Sequence, residues 1–290
     1  MPSVLDLRRR IRSVQNTGKI TRAMQMVAST RLRRARQTVE ATRPYAEKMV
    51  EVMQTTAELA GEYRHPYLER RDGDRALMIV VTSDKGLAGA LNSNTLRAVL
   101  RYVMKHHQGQ ARYVTIGRKG RNWLARFGRD LVADTSGLKD RPGIAAVLPA
   151  IAAALKEYEE ERVDTVLLGY ARYVSALRQD PVVRTLLPVE LPRREGGRPT
   201  TLYLYEPGPE EVLAALLPRY IETQVYEAVL ENQASFYSAQ MIAMQNATNA
   251  ANDMIEELSL TANKLRQATI TEELMDIVRG AEALTDSAKG

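Results

Sequence analysis

Apolar positions near the amino terminus recur at alternating steps of three and four. Val4, Leu7, Ile11, Val14, Gly18, Thr21, Gln25, Ala28, Leu32, Ala35, Val39, Thr42, Ala46, Met49 and Met53 trace one stripe. That is a heptad seam sustained far beyond the length that marks a coiled coil. A single helix over residues 3–58 would be roughly 80 Å long at ~1.5 Å per residue, too long for a compact core. Ile20, Met24 and Val27 lie off the seam and give the helix a second apolar face for another partner. Pro44 removes a backbone donor and is expected to bend the helix.

The texture changes at Gly61, where His65-Pro66 and Arg71-Asp72-Gly73-Asp74 break the helical pattern. Strand and helix signals then alternate. Strands are expected over 76–82, 112–116, 131–133 and 163–173, and helices over 88–105, 118–127 and 144–160. Pro181 and Pro188 make 181–191 an edge strand. A charged loop over 193–199 and a short strand over 202–205 follow. This order predicts a Rossmann-like, mostly parallel sheet with helices on its faces.

Past Pro207-Gly208-Pro209 the helical pattern returns. Leu213, Leu216 and Leu217 start it, and Pro218 implies a kink or short break. Ile221, Val225, Ala228, Asn232, Ser235, Ala239, Ala243, Ala247, Ala250, Met254, Leu258, Thr261, Leu265 and Ala268 then form a second seam, rich in small residues. Small residues let two helix backbones approach closely. The expected fold is therefore an α/β domain plus a long antiparallel coiled coil. Its parts are an N-terminal helix (1–60), a globular domain (61–209) and a C-terminal helix (210–290). Asn232 to Asn252 contains no charged residue, so this stretch is either a helix buried on several sides or a surface passing close to another protein.

Composition and charge narrow the function. There are no cysteines, which removes disulfides, thiolate metal sites and cysteine nucleophiles. No stretch is long and apolar enough to cross a bilayer, and the opening residues form no signal peptide. The net charge is +6, and ten basic residues lie between Arg8 and Arg36 with no Asp or Glu among them. Uncompensated cations on one helix call for an acidic partner: nucleic acid, anionic lipid or an acidic protein loop.

Chemistry is sparse. His65, His106 and His107 share no metal-ligand spacing, and no Walker-type loop or G-x-S-x-G occurs. Ser83-Asp84-Lys85-Gly86-Leu87-Ala88-Gly89-Ala90 follows a strand and opens a helix, where phosphate loops sit, but a tight structural turn is the reading favoured for its glycines. Arg118-Lys119-Gly120-Arg121 is similarly basic and similarly unspecific.

Near the carboxyl terminus Ile270-Thr271, Glu273, Asp276 and Gly280-Ala281 have the spacing I-T-x-E-x-x-D-x-x-x-G-A. It resembles the signature of the gamma subunit of F-type ATP synthases. Arg12 to Thr17, Lys19-Ile20-Thr21, Ala23-Met24 and Met26-Val27-Ala28 look like that family's opening helix. Arg43-Pro44-Tyr45-Ala46, Ser83 to Leu87, Gly89 to Asn92 and Leu204 to Pro207 continue the likeness in order. The resemblance implies a central rotor shaft inside an alpha3beta3 hexamer. Its foot would meet the epsilon subunit and the membrane c-ring, with no nucleic acid partner and no cofactor. The catalytic nucleotide sites would belong to beta, leaving this chain none. Arg266 and Gln267, with Thr269 and Glu272 beside them, match the contact with a beta-subunit loop. Met24 and the surrounding Arg22, Arg31 and Arg33 match the region facing beta's acidic lever. Leu274, Met275, Ile277 and Val278 would sit in a hydrophobic collar, and Tyr205 and Glu206 would meet the c-ring and epsilon. The absence of a transit peptide and of the chloroplast cysteine segment favours a peripheral protein on the cytoplasmic face of a bacterial plasma membrane, held there through partners only. Two alternatives come from other classes. A basic coiled-coil nucleic-acid-binding protein would use the Arg8–Arg36 face, and a nucleotide-dependent enzyme would use the middle domain.

Overall fold

The computed structural model describes residues 3–60, 63–190 and 205–287, with side chains through 279. Helix α1 (Val4–Ala60) opens the chain and α5 (Pro209–Ser287) closes it. Between them lie β1 (Ala76–Val81), α2 (Leu91–His106), β2 (Arg112–Ile116), α3 (Arg118–Arg126), β3 (Leu131–Thr135), α4 (Leu148–Glu159), β4 (Thr165–Tyr173) and β5 (Gln179–Leu187). The charged loop expected over 193–199 and most of the strand expected over 202–205 fall outside the described residues. Neither Pro44 nor Pro218 ends its helix, so no break occurs at Pro218. Each proline removes one backbone hydrogen bond, and packing along the rest of the helix outweighs that loss.

The chain divides into two compact units, residues 28–241 and residues 1–27 with 242–290. In the first, the sheet order is β3-β2-β1-β4-β5. β1 pairs in parallel with both β2 and β4, placing Ile79 level with Val114 and Leu168. β5 runs antiparallel to β4 at the edge, where Pro181 needs no ladder partner for its missing N–H. Strand β1 is buried throughout, and its alternation divides the core. Leu77, Ile79 and Val81 face a cluster with Ile151, Ala154 and Tyr158 of α4, Met49 and Met53 of α1, and Ile221 and Val225 of α5. Met78 and Val80 face Leu96, Val99 and Val103 of α2 and Leu124 of α3.

Three of the boundaries that differ from expectation have local causes. Helix α2 starts at Leu91 instead of 88, because Leu87 and Gly89 adopt left-handed backbone at φ 64° and 54°. The helix expected over 144–160 is split into a short 3₁₀ turn (Ile144–Ala146) and α4, with Pro149 in α4's first turn. Proline suits that position and cannot donate back to the preceding turn. The edge strand begins at Gln179 and stops before Pro188, after which the Val189 N–H bonds to the Tyr67 carbonyl at 2.7 Å.

The uncharged stretch of α5 is largely explained by what it docks on. Asn232, Ala234, Ser235, Phe236, Tyr237 and Ser238 are buried. Ser235 donates to the Ala171 carbonyl at 2.9 Å, and Ser238 donates to the Ala176 carbonyl at 2.6 Å. Short neutral side chains thus satisfy the backbone around the end of β4 without burying charge.

The second unit contains an antiparallel helix pair. The Thr21 and Thr248 hydroxyls lie 2.7 Å apart, Gln25 bonds to Gln245, and a Cβ built on Gly18 would meet the Ala251 methyl at 3.5 Å. This register carries Val14 level with Ile255, Leu7 with Ala262 and Val4 with Leu265. Every seam position expected on α1 is buried or half-buried. The seam expected on α5 holds to Ala247 and then fails in part. Ala250, Met254, Thr261 and Ala268 are exposed, while Thr248, Ala251 and Ala262 are buried and Ile255 is half-buried. The true stripe is rotated by one residue, about 100° of helix, because alanines occupy both registers and the pairing with Gly18 and Thr21 decides between them.

Candidate partner interface

The places where a small ligand would normally bind in an α/β domain are already filled. In open sheets that place is the crevice at the carboxyl ends of the strands where the order reverses, here between β1 and β4. Phe236 and Tyr237 of α5, with Leu32 and Ala35 of α1, pack there against Ala88, Leu91 and Ala171. A cavity of about 60 Å³ remains between the Val81–Lys85 segment and α5, smaller than a nucleotide by far.

The Ser83–Ala90 loop is held by its own side chains. Asp84 accepts the Arg118 N–H at 2.8 Å with one carboxylate oxygen, and the Gly137 and Leu138 N–H groups at 2.8 and 3.0 Å with the other. A carboxylate therefore already sits at the amino end of α3, where a phosphate would bind. Asn92 accepts from the Ser83 N–H at 3.1 Å and donates to its hydroxyl at 2.8 Å. Gly117 at φ 108° allows the close approach, since a Cβ there would lie 2.1 Å from the Thr82 carbonyl oxygen. Among the described residues no group of three or more His, Asp or Glu could hold a metal ion.

The partner-facing candidates divide into three places. On α1, Arg22 and Arg33 are exposed and Met24 is half-buried. The exposed Ile20, Met26 and Val27 flank Met24, so the second apolar face expected there is present. The absence of counter-charge is only partly true. Arg31 pairs with Asp140 at 3.2 Å, and Arg36 with Glu40 at 3.6 Å. Among the described residues Arg8, Arg9, Arg10, Arg12, Lys19, Arg22, Arg33 and Arg34 form no ion pair.

On α5 the pairing with α1 can be followed to Leu265, which lies level with Val4, the first residue of α1. Every described residue from Arg266 to Arg279 is exposed. Arg266, Gln267, Thr269 and Glu272 lie within two turns of this bare segment. Ile270, Leu274, Met275, Ile277 and Val278 are between 49% and 67% exposed, four of them on one stripe of the helix with Met275 beside it. At the third place Tyr205 is half-buried with its hydroxyl 3.4 Å from that of Thr56, and Glu206 is exposed. Sequence reasoning missed Asp140 and Tyr237, although an acid between Lys139 and Arg141 was visible.

Comparison with known proteins is consistent across the chain. The ATP synthase family model matches residues 3–284. The ATP synthase gamma chain of Chloroflexus aurantiacus is 44% identical, covering 98% of this chain and 100% of its own. That of Herpetosiphon aurantiacus is also 44% identical, covering 98% and 99%. The central stalk and c-ring structure of the Tetrahymena thermophila mitochondrial ATP synthase contains a chain with TM-score 0.58 and 25% identity, covering 79% of this chain and 99% of that one. A chain of the Euglena gracilis mitochondrial ATP synthase shares the fold at TM-score 0.66 and 20% identity, covering 99% and 96%. A bare helical tip, a basic amino-terminal face and full-length similarity to gamma chains converge on one assignment: this chain belongs to the ATP synthase gamma chain family.

Proposed function

We propose that the chain works as the central rotor of an F-type ATP synthase and performs no catalysis itself. The observation that carries this reading is the α5 segment Arg266–Arg279, whose Ile270, Leu274, Met275, Ile277 and Val278 no described residue of the chain covers. A sleeve of alpha and beta subunits would supply that cover, with Leu274, Met275, Ile277 and Val278 in a collar. Arg266, Gln267, Thr269 and Glu272 would touch a beta loop, and Arg22, Met24 and Arg33 an acidic beta segment. Arg31, with its charge already engaged by Asp140, is the weakest member of that set. Residues 61–209 would stand on the c-ring and beside epsilon, with Tyr205 and Glu206 at that contact. Residues 1–60 and 210–290 would form the shaft.

A single asymmetric shaft inside a pseudo-threefold sleeve makes different contacts with each beta subunit. Those differential contacts bias each beta between conformations, and rotation exchanges the bias. Rotation of the membrane ring is thereby linked to ATP synthesis or hydrolysis in beta. No helix among the described residues is long and apolar enough to cross a membrane, so attachment to the cytoplasmic face of a bacterial plasma membrane would run through partners. Replacing Arg266 and Gln267 together with Ala tests the beta contact. ATP turnover of the assembled complex is expected to fall while nucleotide affinity of isolated beta stays unchanged; unchanged turnover would remove these residues from the torque path.

A further inference from the structure

The loop joining β3 to α4 behaves as a strap across the shaft helices. Its start is gripped by Asp84 through the Gly137 and Leu138 N–H groups. From there it contacts α5 three times. The Pro142 carbonyl accepts the Tyr226 hydroxyl at 3.0 Å, the Lys139 carbonyl accepts the Gln233 amide at 3.2 Å, and the Asp140 carboxylate accepts the Tyr237 hydroxyl at 2.9 Å. Residues 226, 233 and 237 are seven and four apart, so all three contacts fall on one stripe of α5. The same carboxylate reaches Arg31 of α1 at 3.2 Å and Lys85 of the β1–α2 loop at 3.9 Å.

Asp140 thus joins α1, α5 and the β1–α2 loop. Arg31 and Arg34 of α1, Lys85, Lys139 and Arg141 are the cations around it. Arg31 also lies over the Tyr237 ring at 5.9 Å. Tyr237 is buried, and its phenol pKa is pushed up to about 12 by burial and by donation to Asp140. The hydroxyl therefore keeps its proton and remains a donor at physiological pH.

Directional contacts matter here for a mechanical reason. The apolar packing of Val225, Ala228 and Val229 resists lifting α5 off the sheet. Ser235 and Ser238 add hydrogen bonds to the Ala171 and Ala176 carbonyls on that side, and the strap adds its own on a different stripe of the helix. Hydrogen bonds at the helix rim act about 5–6 Å from that axis, where the lever arm is longest. They also have preferred angles, so they oppose rotation.

We propose that Asp140 is a positioning residue that locks α1 and α5 in rotational register with the α/β domain, so that torque passes between them without slip. This rests on the rotor reading above. The test uses the complete chain assembled with alpha and beta subunits, the hexamer fixed to a surface and a probe on the α/β domain. The angular fluctuation of the stalled rotor is recorded for the unaltered chain, Asp140→Asn and Tyr237→Phe. Both variants are expected to broaden the distribution, Asp140→Asn more, while unloaded ATP hydrolysis is retained. Distributions as narrow as that of the unaltered chain would overturn the proposal, even if the variants melt at lower temperature. Should Asp140→Asn fail to assemble, Tyr237→Phe gives the same reading with the charge left in place. Failure of the unaltered chain to join the hexamer would instead overturn the rotor reading, and the proposal with it.

Discussion

Two stretches of the same helix have opposite environments. Between Leu213 and Tyr237, α5 buries Leu217, Ile221, Val225 and Ala228 completely against the sheet and α1. Between Arg266 and Arg279 it buries nothing, although Ile270, Leu274, Met275, Ile277 and Val278 are as apolar as the residues of the docked stretch. Apolar residues in the first stretch stabilise this fold. In the second they contribute nothing until another protein covers them. On the rotor reading proposed above, their burial would come only with assembly.

This contrast can be broken most severely in the docked stretch. Ile221→Ala empties a fully buried position and should cost about 2–5 kcal/mol in chemical denaturation of the chain. The thin helix pair comes next. Gly18→Leu would push α1 off Ala251, at a cost of about 1–3 kcal/mol, read as faster amide exchange in both helices of the pair. Thr21→Val removes one side of the buried hydroxyl pair. Thr248 keeps its bond to the Met244 carbonyl at 2.9 Å, so the loss should be about 0.5–1.5 kcal/mol by denaturation.

A smaller effect is expected at Glu231, a half-buried group partly screened by solvent. Burial raises its pKa, with Arg184 opposing, and burial likewise raises that of Glu227 one turn earlier. A carboxyl with a raised folded-state pKa contributes stability below its unfolded value, and that contribution is lost as pH rises through the folded value. Glu231→Gln should therefore raise the melting temperature at neutral pH. The gain should shrink as the solution is acidified, and a gain that grows on acidification would refute this assignment.

The same contrast explains what could be read from the sequence. The α1 seam was legible because large residues such as Leu7, Leu32, Met49 and Met53 fix one face. The alternation of strands and helices was legible because β1 is apolar throughout and turns punctuate its neighbours. The distal α5 seam was misread by one residue, since Ala250 and Ala251 are equivalent to a periodicity argument and only the partner helix separates them. The splitting of the helix before α4 depended on Pro149. The bare tip was recognisable by its motif alone, because periodicity cannot show which apolar residues the chain leaves uncovered. The junction at Asp140 could not be read, since its partners Arg31, Lys85 and Tyr237 come from distant parts of the sequence.

The central claim is that the exposed tip of α5 is made for a sleeve of other subunits. It is tested most directly by measuring incorporation of the chain into purified alpha–beta hexamer with and without Leu274→Asp and Ile277→Asp together. The account predicts one copy per hexamer for the unaltered chain and little or none for the double variant. The variant's own stability should move by no more than about 0.5 kcal/mol, since both positions are exposed. A double variant that joined the hexamer as readily as the unaltered chain would contradict it.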